Sequence, residues 1–285
     1  MSTEYVITYK AENLYEGPVH KAHWQFLIIP EQNTTQDLVS IDFKNSINAY
    51  DERSVNGFGF RSIRIRPKKE FDQIRFEASF KLIKHQTNPF ELDSGLTPSE
   101  EYEKINSLDF KVDFEPFLRF THFTSLPDNS KDLFKFRRDI SIFENLQALN
   151  TWIFKAIKYS SEVTDVQTTL EQIIEHRQGV CQDFAHLFCA LSRKNNIPTR
   201  YVSGYLHQGN GYFGDAQMHA WVEAYIPNMD WVGFDPTNNI LVSDNHIKVA
   251  HGKDYDDCAP LKGVVYASGD NETTHSVEVL SQEQQ

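Results

Sequence analysis

The chain has 285 residues, a net charge of −12 and a pI near 5.4. Binding to nucleic acid needs a dense patch of Lys and Arg, so this acidic balance argues against a nucleic-acid partner. No run of 18 apolar residues is present, so neither a transmembrane helix nor a membrane partner is expected. Apolar residues make up 40% of the chain and aromatic residues 13%, which suffices for one large packed domain or two ordinary ones.

The first residues, "MSTEYVITYKAENLY", lack the basic start and the apolar stretch of a secretory signal, so a cytoplasmic location is expected. Three cysteines are present, at Cys181, Cys189 and Cys258. Their odd number and wide spacing do not fit a disulfide framework, and there is no Cys-x-x-Cys pair for zinc. Free thiols and no cofactor are the prediction for a reducing compartment.

Residues 1–84 have the alternation of β-strands. In "FDQIRFEASFKLI", for example, apolar residues recur at every second position, and Pro, Asn and Gly separate several such runs. These patterns predict an N-terminal β-rich domain with an antiparallel sheet. Residues 85–135 have a mixed pattern and are predicted to be a connector, with "NPFELDSGLTPSEEYEKI" and "SLPDNSKDLF" as turns and one short helix.

The third predicted unit, residues 136–285, begins with helical patterns. "ENLQALNTWIFKAIKYS" has apolar residues at helical spacing, and "TTLEQIIEHRQG" has capping-box spacing at Thr168 and Glu171 with a stop at Gly179. A third helix begins at Cys181 and ends at Asn195 and Asn196, and Pro198 forbids its continuation. Three strands then follow, "TRYVSGYLH", "MHAWVEAYIP" and "WVGFDP", so the predicted fold class is α+β.

Cys181 lies in the first turn of that third helix. Backbone N–H groups there have no partner within the helix, and the helix dipole places partial positive charge at the same end. Both effects favour a thiolate, which is the nucleophilic form of cysteine. A lone cysteine is also a common small core residue, so this observation alone leaves both interpretations open.

Two further residues complete a possible site. His219 lies on the face of "MHAWVEAYI" opposite its apolar face, which suits the wall of a cleft but also fits a surface histidine. Asp235 ends the next strand before Pro236, where a turn-forming aspartate is common. Taken together, a cysteine, a histidine and an aspartate at the edges of three elements match the nucleophile, base and orienting carboxylate of acyl transfer.

A metal site is the other interpretation of a cysteine, a histidine and an aspartate. The chain lacks paired ligands at short spacing, so no metal is expected. Asp183 is expected to cap the helix rather than to do chemistry, and His186 lies off the face of Cys181 and is expected to be structural. The backbone N–H of Cys181 is the natural first donor of an oxyanion hole, and Trp152 is a candidate for the second donor or simply a core residue.

Three segments, "GVCQDFAHLFCALSRKNNIPTRYVSGY", "MHAWVEAYIP" and "WVGFDPTNN", resemble the transglutaminase-like superfamily. The spacing from Cys181 to His219 is 38 residues, and from His219 to Asp235 it is 16. The resemblance is to the bacterial branch of cysteine proteases with an N-terminal β-rich domain. It implies a papain-like cysteine fold, in which the helix of Cys181 packs against an antiparallel sheet that carries His219 and Asp235.

The resemblance also implies a function. Cys181, His219 and Asp235 would act as a catalytic triad and form a thioester with an amide substrate, most simply a peptide or protein amide that is then hydrolysed. Transamidation of protein glutamine is the alternative, because the same residues serve both outcomes. A non-catalytic binding or scaffold protein is the alternative of another class. Nothing in the sequence requires calcium, since no EF-hand loop is present.

Overall fold

The computed structural model describes residues 2–86, 93–128, 130, 133–160, 167–207 and 217–283. The strands within these ranges are β1 (Ser2–Val19), β2 (Lys21–Phe26), β3 (Gln36–Asn45), β4 (Asp51–Val55), β5 (Arg61–Ile65), β6 (Phe71–His85), β7 (Lys158–Tyr159), β8 (Gln178–Gly179), β9 (Thr199–Leu206), β10 (His219–Ile226), β11 (Asp230–Asp235), β12 (Ile240–Leu241), β13 (His246–Gly252), β14 (Leu261–Tyr266) and β15 (Asn271–Glu283). The α-helices are α1 (Pro98–Asn106), α2 (Leu108–Asp113), α3 (Glu115–Leu118), α4 (Ile142–Ala156), α5 (Leu170–His176), α6 (Cys181–Lys194) and α7 (Tyr255–Cys258). The fold is α+β, as the sequence predicts.

Two antiparallel sheets form a β-sandwich from the N-terminal strands. One sheet has the order β15-β1-β6-β3, and the other has the order β14-β2-β5-β4. Aromatic side chains fill the space between the sheets, where the Phe26 ring lies 4.7 Å from Phe76 and Trp24 lies 5.3 Å from Phe76 between centroids. The period-two pattern of the sequence therefore marks the residues that face this core.

The last two strands join these N-terminal sheets. β14 pairs with β2, and β15 pairs with β1 along its length, from Thr3 opposite Glu283 to Tyr15 opposite Asn271. The sequence prediction assigned these residues to the 136–285 unit, whereas their hydrogen bonds connect them to strands of the 1–84 unit. Strand partners of this kind lie more than 200 residues apart, and period-two alternation does not identify the partner.

The connector carries more helix than predicted. Instead of one short helix, the described part of residues 85–135 contains α1, α2 and α3, and a 3-10 turn at His122–Thr124. Thr97 and Glu100 form a capping box that starts α1, with Pro98 in its first turn. The part of the predicted turn at residues 88–92 lies outside the described residues, as do residues 129, 131 and 132 of the second predicted turn.

The second half of the fold is a five-stranded antiparallel sheet in the order β12-β11-β10-β9-β13, with α6 packed against β10 and β9. Helix α6 is buried over most of its length and ends at Asn195, as predicted. The capping box of α5 is formed by Thr169 and Gln172, one residue later than predicted. This helix ends at Arg177, in the left-handed region with a φ of 52°, rather than at Gly179.

Hydrogen bonds connect the sandwich to the five-stranded sheet. The Tyr205 hydroxyl donates to the Ile28 carbonyl at 2.5 Å, and the side-chain amide of Gln36 donates to the Lys248 carbonyl at 2.7 Å. Both contacts are buried, so their loss would leave unpaired polar groups in the interior. Within the described part of the chain, no helix has the length and apolar character needed to cross a membrane.

Candidate active site

The start of α6 is held by a buried carboxylate. Asp183 is fully buried, and its Oδ2 accepts a hydrogen bond from the Val180 backbone N–H at 2.8 Å. A Cβ atom on Gly179 would lie 2.7 Å from the same oxygen, so only glycine allows this close approach. This is the capping role that the sequence predicts for Asp183, and it fixes the first turn, where Cys181 lies.

His219 and Asp235 are brought together by adjacent strands. His219 begins β10 and Asp235 ends β11, and these strands are antiparallel neighbours. The His219 Nε2 lies 2.8 Å from the Asp235 Oδ2, and neither side chain is exposed to solvent. The predicted partnership of these two residues is therefore present as a buried hydrogen bond.

Cys181 lies beside the same imidazole. The His219 Nδ1 makes no regular hydrogen bond with the described residues, and the Cys181 sulfur contacts the ring more loosely. Such loose geometry is common for a thiol and its base before substrate binds. Burial lowers the pKa of His219, but the Asp235 carboxylate, with a smaller contribution from Cys181, outweighs burial and raises this pKa to about 10. The ring is thus protonated at neutral pH.

Asp235 receives five hydrogen bonds. Its Oδ1 accepts from the backbone N–H groups of Thr237 and Asn238 at 3.0 and 3.3 Å, and its Oδ2 accepts from His219, the Asn238 side chain and His246. Burial would raise the pKa of Asp235, but His219 and His246 lower it far below its ordinary value. The carboxylate therefore remains charged in the protein interior.

The sequence prediction did not identify Asn238 or His246 in this site. Asn238 lies three residues after Asp235 in "DPTNN", so a turn that folds back on the carboxylate is its only sequence signal. His246 begins β13, on the far side of β9 from β10, and no spacing rule connects it to Asp235.

The face of β10 that carries His219 is more buried than the sequence suggested. His219 lines a cleft, as expected, but it is only 1% exposed. Trp221 on the same face is also 1% exposed, and its ring packs edge-on against His246 at 5.3 Å.

A cleft of about 690 Å³ opens at Cys181. It lies between the five-stranded sheet and the sandwich, and its described lining residues are Tyr9, Tyr159, Val180, Cys181, Gln182, Tyr201, Ser203, Gln217, Met218, His219, Ala220, Tyr255, Pro260, Leu261, Thr273 and His275. None of these described lining residues is Lys, Arg, Asp or Glu. Burial raises the pKa of Tyr9, Tyr201 and Tyr255, so these phenols stay neutral.

The other cysteines and His186 lie in the core. Cys189 and Cys258 are fully buried, and burial raises the pKa of the Cys189 thiol to about 11 and that of Cys258 well above its usual value. His186 stacks on Phe123 at 5.1 Å and accepts a hydrogen bond from the Tyr255 N–H. Trp152 packs near Phe134 and does not line the described cleft.

His219, Asp235 and His246 form a group of potential metal ligands, with one donor atom of each within 4.8 Å of the others. Zinc bound at about 2.0–2.2 Å would hold tetrahedral ligand atoms roughly 3.3 Å apart. The 2.8 Å between His219 Nε2 and Asp235 Oδ2 is instead the length of a charge-assisted hydrogen bond. The geometry therefore favours a hydrogen-bonded network of these three side chains over a metal centre.

Comparison with known proteins places this site in context. Residues 135–236 match the family model of the transglutaminase-like superfamily, and this range includes Cys181, His219 and Asp235. An uncharacterized protein of Mycobacterium tuberculosis (strain ATCC 25618 / H37Rv) is 36% identical over 149 residues, which cover 49% of this chain and 48% of that protein. The uncharacterized protein YebA of Bacillus subtilis (strain 168) is 28% identical over 131 residues, which cover 40% of this chain and 18% of YebA. The chain thus spans about half the length of the mycobacterial relative that it matches.

A solved structure extends the likeness to the whole fold. The crystal structure of a "putative cysteine protease" from Cytophaga hutchinsonii matches with a TM-score of 0.77 and 22% identity, over 100% of this chain and 92% of that one. At this identity the match establishes a shared fold, including the antiparallel sheets formed by the N-terminal strands. Residues 135–236 thus form a transglutaminase-like core, and the whole chain shares its fold with this solved structure.

Proposed function

We propose that the protein is a cysteine-dependent acyl-transfer enzyme that hydrolyses peptide or protein amides through Cys181, His219 and Asp235. The main support is the continuous contact from the Cys181 thiol to the His219 ring and on to the buried Asp235 carboxylate, at the end of a cleft. A protonated imidazole beside a thiol at a helix N-terminus favours the thiolate, which is the attacking form.

The reaction would begin with attack of the Cys181 sulfur on the amide carbonyl carbon. The oxygen of the tetrahedral intermediate would accept a hydrogen bond from the Cys181 backbone N–H, which has no partner within the helix. The His219 imidazolium would give its Nδ1 proton to the leaving nitrogen, and the C–N bond would break to leave an amine and a thioester. His219 would then take a proton from water, which attacks the thioester and releases the carboxylate product.

The cleft indicates the chemical class of the acyl group. Its described lining is made of four tyrosines, apolar side chains and uncharged amides and hydroxyls, together with two histidines. A strongly basic side chain would lose hydration there without gaining an ion pair among these residues, and an acidic one would compete with Cys181 for the His219 imidazolium. We expect the acyl group to carry an uncharged side chain with apolar surface, which includes a glutamine side chain as an acyl donor.

Mass spectrometry of the protein incubated with a peptide library and a primary amine tests this function. We expect an acyl adduct on Cys181, a hydrolysed product, and no adduct in Cys181→Ala. Transamidation would appear instead as a product joined to the amine. The Cys258→Ala variant is the matched control, because that thiol is buried and should not contribute.

Iodoacetamide separates an enzyme from a scaffold protein. An enzyme should lose one thiol rapidly near neutral pH, at Cys181, whereas Cys189 and Cys258 should react only after unfolding. Three slow and similar thiols, together with no adduct from any peptide, would contradict the proposed function.

A further inference from the structure

His246 contacts the Asp235 carboxylate, which the side chain of Asn238 also contacts. Its side chain is fully buried, and its Nε2 is 3.2 Å from the Asp235 Oδ2, the same oxygen that His219 contacts. One carboxylate oxygen thus lies between two imidazoles, of which only His219 also contacts Cys181.

The hydrogen bond at His246 Nδ1 determines which ring nitrogen carries the hydrogen. The Ser243 backbone N–H donates to His246 Nδ1 at 3.3 Å, so Nδ1 is an acceptor and the ring hydrogen is on Nε2. Burial lowers the pKa of His246, as do the charges of His219 and Lys84, while Asp235 opposes this change. A neutral ring with a single Nε2–H that points at Asp235 is the result.

We propose that His246 is a positioning residue of the proposed cysteine enzyme, whose Nε2–H fixes the rotamer of Asp235 so that Oδ2 meets His219 Nε2. The effect on catalysis rests on the proposed function, whereas the hydrogen bond from His246 to Asp235 does not depend on it. Among the described residues, His246 does not line the cleft; it contacts Asp235, and its ring centroid lies 6.3 Å from that of His219, so its route to Cys181 runs through these two residues. Trp221 supports the ring edge-on at 5.3 Å and limits its rotation.

The choice of a neutral histidine here has a physical reason. A Lys or Arg in this place would pair with Asp235 and compete with the His219 imidazolium for the carboxylate charge. A neutral N–H donor holds the carboxylate in place and leaves its charge available to His219. Because it is buried, the contact is shielded from water, which otherwise weakens such hydrogen bonds.

Two variants of the full chain test the role. His246→Gln keeps an N–H donor that can reach Asp235, whereas His246→Leu removes the donor and keeps an apolar side chain. With a peptide that acylates the wild type, we expect His246→Leu to lower kcat roughly 10- to 100-fold, the range for one hydrogen bond to a charged group, with KM unchanged. His246→Gln should recover most of this loss. Equal kcat values for the wild type and a folded His246→Leu, or equal losses in both variants, would overturn the proposal.

The pH profile gives a readout that packing alone would not change. The groups that face His246 are Asp235, His219 and Lys84. Without the donor, the Asp235 carboxylate is held less firmly against the His219 imidazolium, so the low-pH edge of Cys181 alkylation should move to higher pH in His246→Leu and not in His246→Gln. An edge that moves equally in both variants would contradict a role through the hydrogen bond.

Long-range ¹H–¹⁵N NMR of the wild-type imidazoles tests the proposal without a variant. We expect a neutral His246 with its hydrogen on Nε2, and a protonated His219. A hydrogen on His246 Nδ1, or micromolar zinc binding that disappears in His246→Gln, would overturn the inference. Because these spectra need no substrate, they distinguish failure of this inference from failure of the proposed function, which would instead appear as a wild type without any acyl adduct.

Discussion

At the scale of single residues, the site is defined by where charge is buried. Asp235 and His219 are a carboxylate and an imidazolium that are both inaccessible to solvent. Buried ions are costly unless each is paired and hydrogen-bonded. Five donors around Asp235 meet that condition, so replacement of Asp235 should affect both the stability of the fold and the reactivity of Cys181.

Asp235→Asn is predicted to slow Cys181 acylation by up to roughly 10⁴-fold, because a neutral amide cannot stabilise the His219 imidazolium. It should also lower the free energy of unfolding by about 1–3 kcal/mol, since the amide N–H₂ group would face other donors. Rapid-quench acylation and urea unfolding measure the two effects. Asp42→Asn is the control and should behave as wild type, because Asp42 is exposed and does not line the cleft. Unchanged acylation in a folded Asp235→Asn would remove this residue from the mechanism.

The pH dependence of stability has a definite sign at His219. Its pKa is raised to about 10 from about 6.5 in an unfolded chain, so the charged ring stabilises the fold fully below about pH 6.5. That contribution is lost as the pH rises toward 10. The difference in unfolding free energy between wild type and His219→Gln should therefore shrink from pH 6 to pH 9.5 in urea titrations. A difference that stays constant would mean that His219 is neutral in the fold.

At the scale of elements, the close approach of β9 and β13 depends on one glycine. Gly204 of β9 lies opposite His219 of β10 and opposite Lys248 of β13. A Cβ atom at this position would lie 2.2 Å from the Ile247 carbonyl oxygen and 2.5 Å from the Trp221 ring. The β13 strand, and with it His246, can approach β9 only because this residue has no side chain.

Gly204→Ala is predicted to destabilise the fold by more than about 2 kcal/mol, because backbone and a fully buried ring must both move. Displacement of β13 should also slow Cys181 alkylation. Gly57→Ala is the matched control, since nothing lies within 4 Å of its Cβ position, and its effect should be within about 1 kcal/mol. Equal unfolding midpoints for the two variants would show that β13 can move away from β9 without loss of stability.

The elements that the sequence predicts well are those with local signals. Helix α6 and strands β9, β10 and β11 follow from periodicity and from the stops at Asn195 and Pro198. Of the three short helices at residues 98–118, the sequence predicted one, because the other two span six residues or fewer, too short for a period to appear. His246 and the pairing of β15 with β1 could not be predicted, since both depend on contacts between residues far apart in the chain.

At the scale of the whole molecule, the cleft belongs to both halves of the fold. Tyr9 of β1 and Thr273 and His275 of β15 line it together with Cys181. The strand patterns of residues 1–84 and their lack of cysteine predict a unit that shapes substrate access without chemistry, and the position of Tyr9 agrees with this prediction. The remaining chain would then keep a reactive Cys181 if it folded alone, but the pairing of β14 and β15 with β2 and β1 argues against that condition.

A chain that begins at residue 86 is predicted not to fold cooperatively. It would lack β1 and β2, the partners of β15 and β14, and it would expose the apolar faces of two sheets. We expect no sharp thermal transition and no selective reaction of Cys181 with iodoacetamide, in contrast with the full chain. A cooperative transition with a rapidly reacting Cys181 would restore the interpretation of two independent units.

The pairing of the first strand with the last has a consequence during protein synthesis. Residues of β1 leave the ribosome before their partners in β15, which emerge only after more than 250 further residues. Until then, β1 has an unpaired edge, and the wall formed by Thr273 and His275 is missing. Contacts over such separations close late, because the entropy of the intervening chain must be overcome first. We therefore expect the nascent chain to acquire its thiol and imidazole before it acquires a finished cleft, so that substrate capture becomes possible only when translation has passed the last strand.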